Sequence, residues 1–264
     1  MKYIQNLWQY REFIRASVKR EFQIKYQNSL LGGLWNVLNP LSMIFIYTVI
    51  FSQVMKARLP ESDAFYGYST YLCSGVITWA LFAEIVGRGQ TIFLDNANML
   101  KKISFPRIVL PMILVANAGL NFIIIFSLFI GFILITGQFP GWAIMAVIPV
   151  LLIQVLFSIG LGLSLGVLNV FFRDVGQFFN IFLQFWFWLT PIVYPMNVLP
   201  EKIKPLIMTV NPMAPIIGAY QTIFVKAQAP NWDTLTSPLI LSLILCIIAI
   251  RLFVKHSHEM VDEL

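Results

Sequence analysis

The sequence predicts an all-α polytopic membrane protein with six transmembrane helices, preceded by an amphipathic interface helix. Hydrophobic residues make up 58% of its 264 residues and charged residues only 11%, whereas soluble domains carry roughly 25% charged residues. A bilayer core about 30 Å thick requires about 20 mostly apolar residues per helix, and the chain offers six such stretches. No linker-like segment divides the chain, so residues 1–264 are predicted to form a single domain.

The segment before the first span, residues 1–30, is predicted to form the amphipathic helix. Apolar residues recur there every three or four positions, which places them on one helical face. They are Tyr3, Leu7, Tyr10, Ile14, Val18 and Phe22. Arg11, Arg15 and Lys19 follow at four-residue steps beside that face. Such a helix lies in the headgroup layer with its cations near anionic lipid, and it also suits a docking site for a cytosolic partner; the sequence does not separate the two roles.

The six predicted spans differ in length, and a proline-rich region separates the last two. They cover residues 34–55, 68–86, 108–136, 142–170, 176–194 and 238–254. Residues 196–237 contain five prolines, which prevent one continuous helix. That region is therefore predicted to hold two short re-entrant helices, which enter the membrane and return to the same side. Residues 255–264 form a polar tail.

Lysine and arginine residues beside membrane spans indicate the orientation, because they stay on the cytoplasmic side. With the N-terminus inside, thirteen of the 18 fall on the inner side and five on the outer side. The inner set is Lys2, Arg11, Arg15, Lys19, Arg20, Lys25, Arg88, Lys101, Lys102, Arg107, Arg173, Arg251 and Lys255. The outer set is Lys56, Arg58, Lys202, Lys204 and Lys226. Both termini are therefore predicted to be cytosolic.

Ionisable residues are scarce within the predicted spans, and no catalytic constellation is present. Glu84 and Arg251 are the only ones, both near predicted cytosolic ends, which argues against an ion-coupled carrier. The chain lacks the motif G-x-x-x-x-G-K-[ST], so another subunit must hydrolyse ATP if transport is active. The two cysteines lie in apolar stretches and the two histidines in the polar tail. No catalytic residue, metal site or cofactor is predicted for this chain.

Aromatic residues are concentrated around the fifth predicted span. Nine of the eighteen positions 171–188 are aromatic, against an average of 15%. A helix would place three of these rings in one stripe, with two beside it. The aromatic stripe is Phe178, Phe182 and Phe185, and its neighbours are Phe179 and Trp186. Such rings either face lipid or line a passage in which ring faces pack against the C–H faces of sugars.

Prolines interrupt the end of the fifth predicted span. They leave backbone carbonyls without intrahelical partners, which a water-lined vestibule or a packed neighbour satisfies. The pattern fits a gate region and fits an ordinary helix end at the outer interface. The candidate gate region comprises Pro191, Tyr194, Pro195, Asn211 and Pro212.

Five segments, taken in their order along the chain, carry a resemblance to a known family. They are NSLLGGLWNVLNPL (28–41), DNANMLKKISFPRIVLP (95–111), LNVFFRDVGQFF (168–179), LTPIVYP (189–195) and VNPMAPIIGAYQTIF (210–224). With them the chain resembles the membrane-spanning permease of type-2 ABC exporters. The branch it resembles exports lipid-linked polysaccharides such as O-antigen, capsule and teichoic acid.

The resemblance implies a homodimer of six-span permeases paired with two ATPase subunits, which would bind ATP and Mg. This assembly would move a lipid-linked polysaccharide across a bacterial inner membrane, along an aromatic pathway between the two permeases. Membrane lipids are the other expected partners, and nucleic acid is not expected. A type-2 exporter of a drug, lipid or small molecule is the alternative, followed by a self-sufficient channel or carrier and a non-transporting scaffold.

The resemblance also implies a coupling helix near residues 88–100 that seats in a groove of the ATPase. The implied ATPase-coupling residues are Asp95, Asn96, Asn98, Met99, Lys101, Lys102 and Arg107. Arg173 and Asp174 belong to the second inner loop. Gln221 stands where many relatives carry a basic residue, so an external charge contact is not expected there.

Overall fold

The computed structural model describes residues 10–25, 31–50, 66–102, 109–256 and 259–263. Within these ranges the chain forms twelve α-helices, joined by turns and short 3₁₀ helices, and no strand. Helices α1 to α4 are Arg11–Lys25, Trp35–Thr48, Gly67–Gly89 and Ile92–Asp95. Helices α5 to α8 are Ala97–Lys102, Val109–Ile135, Val147–Phe171 and Asp174–Leu189. Helices α9 to α12 are Lys204–Val210, Met213–Lys226, Trp232–His256 and Glu259–Glu263. The all-α prediction is confirmed over the described ranges.

Four helical segments of the described chain are long and apolar enough to cross a membrane: α3, α6, α11, and α7 together with the 3₁₀ helix Gly141–Ala146 before it. Helices α2 and α8 lie at the predicted first and fifth spans but have 14 and 16 residues, fewer than the about 20 that a bilayer core requires. Residues 51–55, the predicted end of span one, lie outside the described ranges. The chain is thus a multi-pass membrane protein, and the number six remains a prediction.

Two predicted span boundaries differ from the structure. The fifth span is predicted to reach residue 194, but α8 ends at Leu189, and Thr190 is extended with ψ 133°. The residue before a proline is pushed out of helical geometry, and Pro191 follows Thr190. The sixth span is predicted to begin at residue 238, but α11 begins at Trp232, because the Asn231 side chain accepts the Asp233 N–H at 3.1 Å and caps the helix.

Helix α3 is the centre of the bundle. In its apolar window 78% of residues are buried, against 17% to 33% in the other three spanning segments, which keep one face outward. Helices α2, α6, α7, α8 and α10 pack around it. Glycines let α3 and α7 approach closely at one end, since a Cβ on Gly166 would lie 2.4 Å from the Gly89 carbonyl oxygen. The two backbones are therefore in direct contact there.

Helices α9 and α10 are the two short helices in the proline-rich region. Most of α10 is buried, and it packs on the side of α3: a Cβ on Gly75 would lie 3.2 Å from Gln221 Nε2 and 3.5 Å from Ile217. Gly75 is eight residues into α3, about 12 Å along its axis at about 1.5 Å per residue. Helix α10 therefore lies alongside a spanning helix rather than beyond its end.

Candidate functional site

Residues 90–102, here called the docking segment, follow α3. The predicted coupling helix over residues 88–100 is divided in the structure: Arg88 belongs to the last turn of α3, and the rest forms α4 and α5, separated at Asn96. Local side-chain bonds explain the break, because they compete with helix continuation. Thr91 Oγ1 donates to Asp95 Oδ2 at 2.7 Å, and Asn96 Nδ2 donates to the Ile92 carbonyl at 2.8 Å.

One face of the docking segment is open to solvent. Asp95, Asn98 and Lys101 are exposed at three-residue intervals, while Asn96 and Met99 are half-buried. The face thus presents a carboxylate, an amide and an ammonium group. The side chain of Lys102 and all of Arg107 lie outside the described part of the chain, so their predicted roles stay predictions.

The opposite face of the docking segment is anchored in the bundle. Phe93 is 1% exposed and stacks on Phe253 of α11, with ring centroids 5.5 Å apart. Leu100 is buried as well, and α5 packs against α12, where Met260 is buried. Buried apolar contacts therefore connect the docking segment to α7, α11 and α12.

Helix α1 is tied to the spanning helices α3 and α6 by polar contacts. The Glu21 carboxylate binds the Arg88 guanidinium of α3 and the Asn117 amide of α6. Nearby, Glu84 accepts from Asn121 Nδ2 at 2.9 Å. The sequence did not predict the two Glu21 contacts, which join residues 67 and 96 positions apart. The only local signal was the spacing of Glu84 and Arg88, which places an acidic and a basic side chain on one helical turn.

Arg20, Glu21, Arg88 and Asp95 line an open cavity of about 670 Å³ between α1, the docking segment and α6. On the side of α1 that packs on α6, Val18 is buried. The predicted cationic stripe of α1 is exposed, as expected for a helix with one apolar face.

The aromatic stripe lies on the exposed side of α8. Phe178, Phe182 and Phe185 are 68%, 38% and 65% exposed, and the rings of Phe178 and Phe182 are parallel within 14°. Three large apolar rings are thus left exposed on a helix whose main packing partners among the described helices are α3 and α7.

The Trp186 ring contacts Phe182 of the aromatic stripe, with centroids 5.3 Å apart, but unlike the stripe it is buried, at 8% exposure. Its ring lies edge-on to Phe82 of α3 at 5.2 Å and to Phe157 of α7 at 6.2 Å. Half-buried Phe179 contacts both Phe182 of the stripe and Trp186. The structure therefore places Trp186 in the helix-packing core and the stripe outside it.

Asn211 joins the end of α8 to the start of α10 in the candidate gate region. It is 8% exposed, and its Oδ1 accepts from Trp186 Nε1 at 2.8 Å and from the Met213 N–H at 3.0 Å. Its Nδ2 donates to Thr190 Oγ1 at 2.9 Å. Pro212 follows as the N-cap of α10. One side chain thus satisfies backbone and side-chain groups of both elements.

The backbone between α8 and α9 is satisfied by packed neighbours. The Tyr71 hydroxyl of α3 lies 3.1 Å from the Pro191 carbonyl and 2.9 Å from the Tyr194 carbonyl, and Gln221 Nε2 donates to the Pro191 carbonyl at 3.0 Å. The Tyr68 hydroxyl donates to the Val193 carbonyl at 2.5 Å. The Gln221 side chain therefore has a hydrogen-bond partner inside the protein. The sequence left two ways to satisfy the carbonyls freed by the prolines, a water-lined vestibule or a packed neighbour. Packed neighbours satisfy the carbonyls described here.

Tyr194 keeps a neutral hydroxyl that donates to the Trp188 carbonyl at 3.0 Å. Pro195, next to it, is extended at φ −69°, ψ 146°. This part of the candidate gate region has no charge to contribute.

The second inner loop connects α7 to α8. Arg173 and Asp174 are both exposed there, and the Asp174 carboxylate lies in the first turn of α8, where the helix dipole favours negative charge. The polar contacts of this region come from other residues. They are Gln90, Asn169 and Asn180, which sequence reasoning did not select although Asn169 lies in the motif LNVFFRDV.

No group of three or more His, Cys, Asp or Glu side chains in the described ranges is placed to hold a metal ion. Cys73 is buried, and Cys246 is half-buried with its thiol donating to the Leu156 carbonyl at 3.3 Å. The described chain thus combines an exposed polar face on the docking segment with an exposed row of aromatic rings on α8.

The chain is similar over its full length to permeases from two bacteria. The family profile described as ABC-2 type transporter matches residues 12–225. The chain is 29% identical over 265 residues to the O-antigen export system permease protein RfbA of Myxococcus xanthus, covering 100% of both. It is 31% identical to the protein of that name from Klebsiella pneumoniae, covering 100% of this chain and 98% of that one.

A more distant relative is the polysialic acid transport protein KpsM of Escherichia coli. The two are 22% identical over 209 residues, which cover 77% of this chain and 78% of that one. The family profile alone extends over well more than half of the chain. The chain therefore belongs to the ABC-2 type transporter family.

Proposed function

We propose that this chain is the permease subunit of an ATP-driven exporter that moves lipid-linked O-antigen polysaccharide across the bacterial inner membrane. The observation that carries the proposal is the match, over the whole chain, to permeases named for O-antigen export at 29% to 31% identity. The polysialic acid transport protein supports the wider class of polysaccharide cargo.

The proposed assembly is a homodimer of this permease with two ATPase subunits, which bind ATP and Mg. The chain itself lacks a nucleotide-binding motif, and the exposed face of the docking segment supports contact with a partner. Helices α2 and α8 also carry exposed apolar side chains such as Phe45 and Phe185, 68% and 65% exposed. A second copy of the chain would cover such a surface on both helices.

The proposed membrane arrangement has six spans, cytosolic termini and re-entrant α9 and α10. Burial of α10 beside α3, about 12 Å from the start of that helix, supports a helix that returns within the membrane. Non-helical backbone at that depth is tolerated only when protein satisfies it. The bonds from Tyr71 and Gln221 to the backbone at residues 191–194 meet that requirement.

In the proposed mechanism, ATP binding closes the partner subunits and moves the docking segment. Phe93 and Leu100 transmit that movement to α7, α11 and α12. The seam between the two permeases then opens to the lipid-anchored sugar chain. Aromatic rings suit the passage wall, because their faces pack on the apolar C–H faces of sugars while sugar hydroxyls stay hydrated.

Surface polysaccharide tests both the cargo and the aromatic stripe. In the source bacterium lacking its own copy, the wild-type chain is expected to restore surface O-antigen. Changing Phe178, Phe182 and Phe185 to alanine together is expected to lower that amount about tenfold, since each ring face contributes about 0.5–1.5 kcal/mol. Immunoblotting of surface polysaccharide and co-purification of the ATPase are the measurements.

A matched control is available on α11, where Ile240, Ile244 and Ile247 repeat the same spacing and are 58%, 46% and 52% exposed. Their triple alanine variant is expected to export normally. Equal losses in both triple variants would make the stripe a lipid-facing surface. If the wild type leaves surface polysaccharide absent and a small apolar compound stimulates the ATPase of the purified complex, the chain is a small-molecule exporter instead.

A charge exchange tests the docking segment. Asp95→Arg combined with Lys101→Glu keeps the net charge but inverts the pattern on the exposed face, which opposes a complementary partner surface. The amount of ATPase co-purifying with the permease is expected to fall about tenfold. The same exchange at Glu201 and Lys202, both exposed and predicted to lie on the outer side, is the control and is expected to have no effect. Full co-purification of the docking-segment variant would refute this docking surface.

A further inference from the structure

A polar contact joins the docking segment to α8. Gln90, the first residue after α3, donates from Nε2 to Asn180 Oδ1 at 2.5 Å. Gln90 is 1% exposed, whereas Asn180 is exposed. Asn180 lies between Phe178 and Phe182 in the chain, at the level of the aromatic stripe. The start of the docking segment therefore touches the helix that carries the exposed rings.

Asn169 fixes the same two elements from α7. Its Nδ2 donates to the Gln90 carbonyl at 2.8 Å, and its Oδ1 accepts the Gly176 N–H in the first turns of α8 at 2.9 Å. It is 3% exposed. The Asn169 amide thus donates to the residue that follows α3 and accepts from the start of α8. Neither a carboxylate nor an apolar side chain can do both.

The backbone around these residues leaves little room for sliding. A Cβ on Gly176 would lie 2.8 Å from Asn169 Nδ2, and a Cβ on Gly89 would lie 3.0 Å from the backbone of Gly162. Close packing of this kind makes helix ends move together rather than independently. Close backbone packing therefore holds the Gln90–Asn180 contact rigidly on the side of α3 and α7.

Directionality distinguishes this contact from the ring contacts that α8 makes with α3. At Trp186, α8 meets Trp79 and Phe82 of α3 through rings, and apolar contact is non-directional. Hydrogen bonds weaken steeply when their angle changes. Of the two kinds of attachment, the polar one resists displacement of α8 relative to the docking segment.

Gln90 also has a buried acceptor that is not satisfied. Its Oε1 has no hydrogen-bond partner in the part of the chain that the structure describes. A buried acceptor without a partner costs about 1–3 kcal/mol, and such a group in a native structure calls for a reason. An amide that exchanges partners during a transport cycle supplies one, since the unsatisfied state is then only one of its arrangements.

We propose that Gln90, Asn169 and Asn180 form the polar link through which movement of the docking segment displaces α8 and its exposed rings. The inference rests on the proposed function, because it needs an ATPase that moves the docking segment. These three are positioning residues: Gln90 and Asn169 are buried and are not exposed to cargo. Their role is to couple ATP hydrolysis to movement of the passage wall.

Asn180→Ala is the principal test, because Asn180 is exposed and its truncation leaves no cavity. In the complete complex with its ATPase, ATP hydrolysis is expected to stay within about twofold of wild type, while surface polysaccharide falls about fivefold, as expected for loss of about 1 kcal/mol of coupling. Asn180→Asp keeps the acceptor for Gln90 Nε2 and is expected to restore export. Gln177→Ala, an exposed amide one turn earlier on α8, is the control and is expected to behave as wild type.

Gln90→Met removes the same bond from the other side. Its effect on export is expected to equal that of Asn180→Ala, and the double variant is expected to be no worse than either single one, because both remove one interaction. An additive double variant would instead indicate that Asn180 acts on the cargo, and would overturn the proposal.

The proposal would also be overturned if Asn180→Ala left export unchanged, or if it lowered export and ATP hydrolysis in proportion. If Gln90→Met fails to assemble, the Asn180 variants decide the matter alone. Failure of the proposed function looks different: there the wild type itself leaves surface polysaccharide unrestored.

Discussion

Gly166→Ala is expected to yield a permease that assembles poorly and loses export almost completely. The added Cβ would lie 2.4 Å from the Gly89 carbonyl oxygen and 3.3 Å from the Phe93 ring. The first contact is with backbone, which cannot rotate away, so α3 and α7 must separate. Overpacking of this kind costs about 1–3 kcal/mol and occasionally more. The melting temperature of the detergent-purified complex and the yield of assembled complex measure it.

Gly131→Ala is the matched control for Gly166→Ala. Gly131 lies within α6, and a Cβ there would meet nothing within 4 Å. Alanine in a helix interior is favoured over glycine by about 0.5–1 kcal/mol, so this variant is expected to be neutral or slightly more stable. Equal melting temperatures for the two variants would show that the α3 and α7 backbones are not in contact at Gly89.

Asn211→Ala is expected to abolish export and lower the melting temperature, because it strips partners from both sides of the candidate gate region. Trp186 Nε1, the Met213 N–H and Thr190 Oγ1 each lose a hydrogen bond. A buried polar group left without a partner costs about 1–3 kcal/mol. Export assays and thermal unfolding of the purified complex are the measurements.

Asn231→Ala is the control that measures the effect of helix capping alone, without the other hydrogen bonds that Asn211 makes. Asn231 accepts the Asp233 N–H just as Asn211 accepts the Met213 N–H, two residues on in each case. Asn231 is exposed, so its loss is expected to cost only the capping contribution of about 0.5–2 kcal/mol and to leave export intact. Comparable export defects in the two variants would mean that capping alone explains Asn211.

The long apolar runs were predictable because their signal is local. Helices α6 and α7 follow the predicted spans closely, since segments of more than 20 mostly apolar residues leave few alternatives. The end of α8 was not placed correctly: residues 190–194 are apolar enough to continue a span, and only the constraint of Pro191 on Thr190 ends the helix. Composition defines an apolar segment, and backbone chemistry defines where its helix stops.

Tertiary relationships explain what the sequence did not predict about the site. Periodicity grouped Trp186 with the aromatic stripe, but whether a ring is covered depends on neighbours from α3 and α7 that periodicity does not contain. Likewise Gln90 and Asn180 are 90 positions apart, and neither belongs to a recognisable motif on its own. The residues of the docking segment were named from the family resemblance, which a contiguous motif carries, whereas the structure shows which of them are exposed.

The contacts of Glu21 impose an order on the biogenesis of this protein. Glu21 leaves the ribosome before its partners Arg88 and Asn117, which come 67 and 96 positions later. At roughly 5–20 residues per second, helix α1 waits about 5 to 20 seconds for both partners. Until then its carboxylate must remain hydrated, because an unpaired charge is costly to bury. The first of the described helices to be synthesised is therefore among the last of them to reach its final position, after α3 and α6 have been inserted.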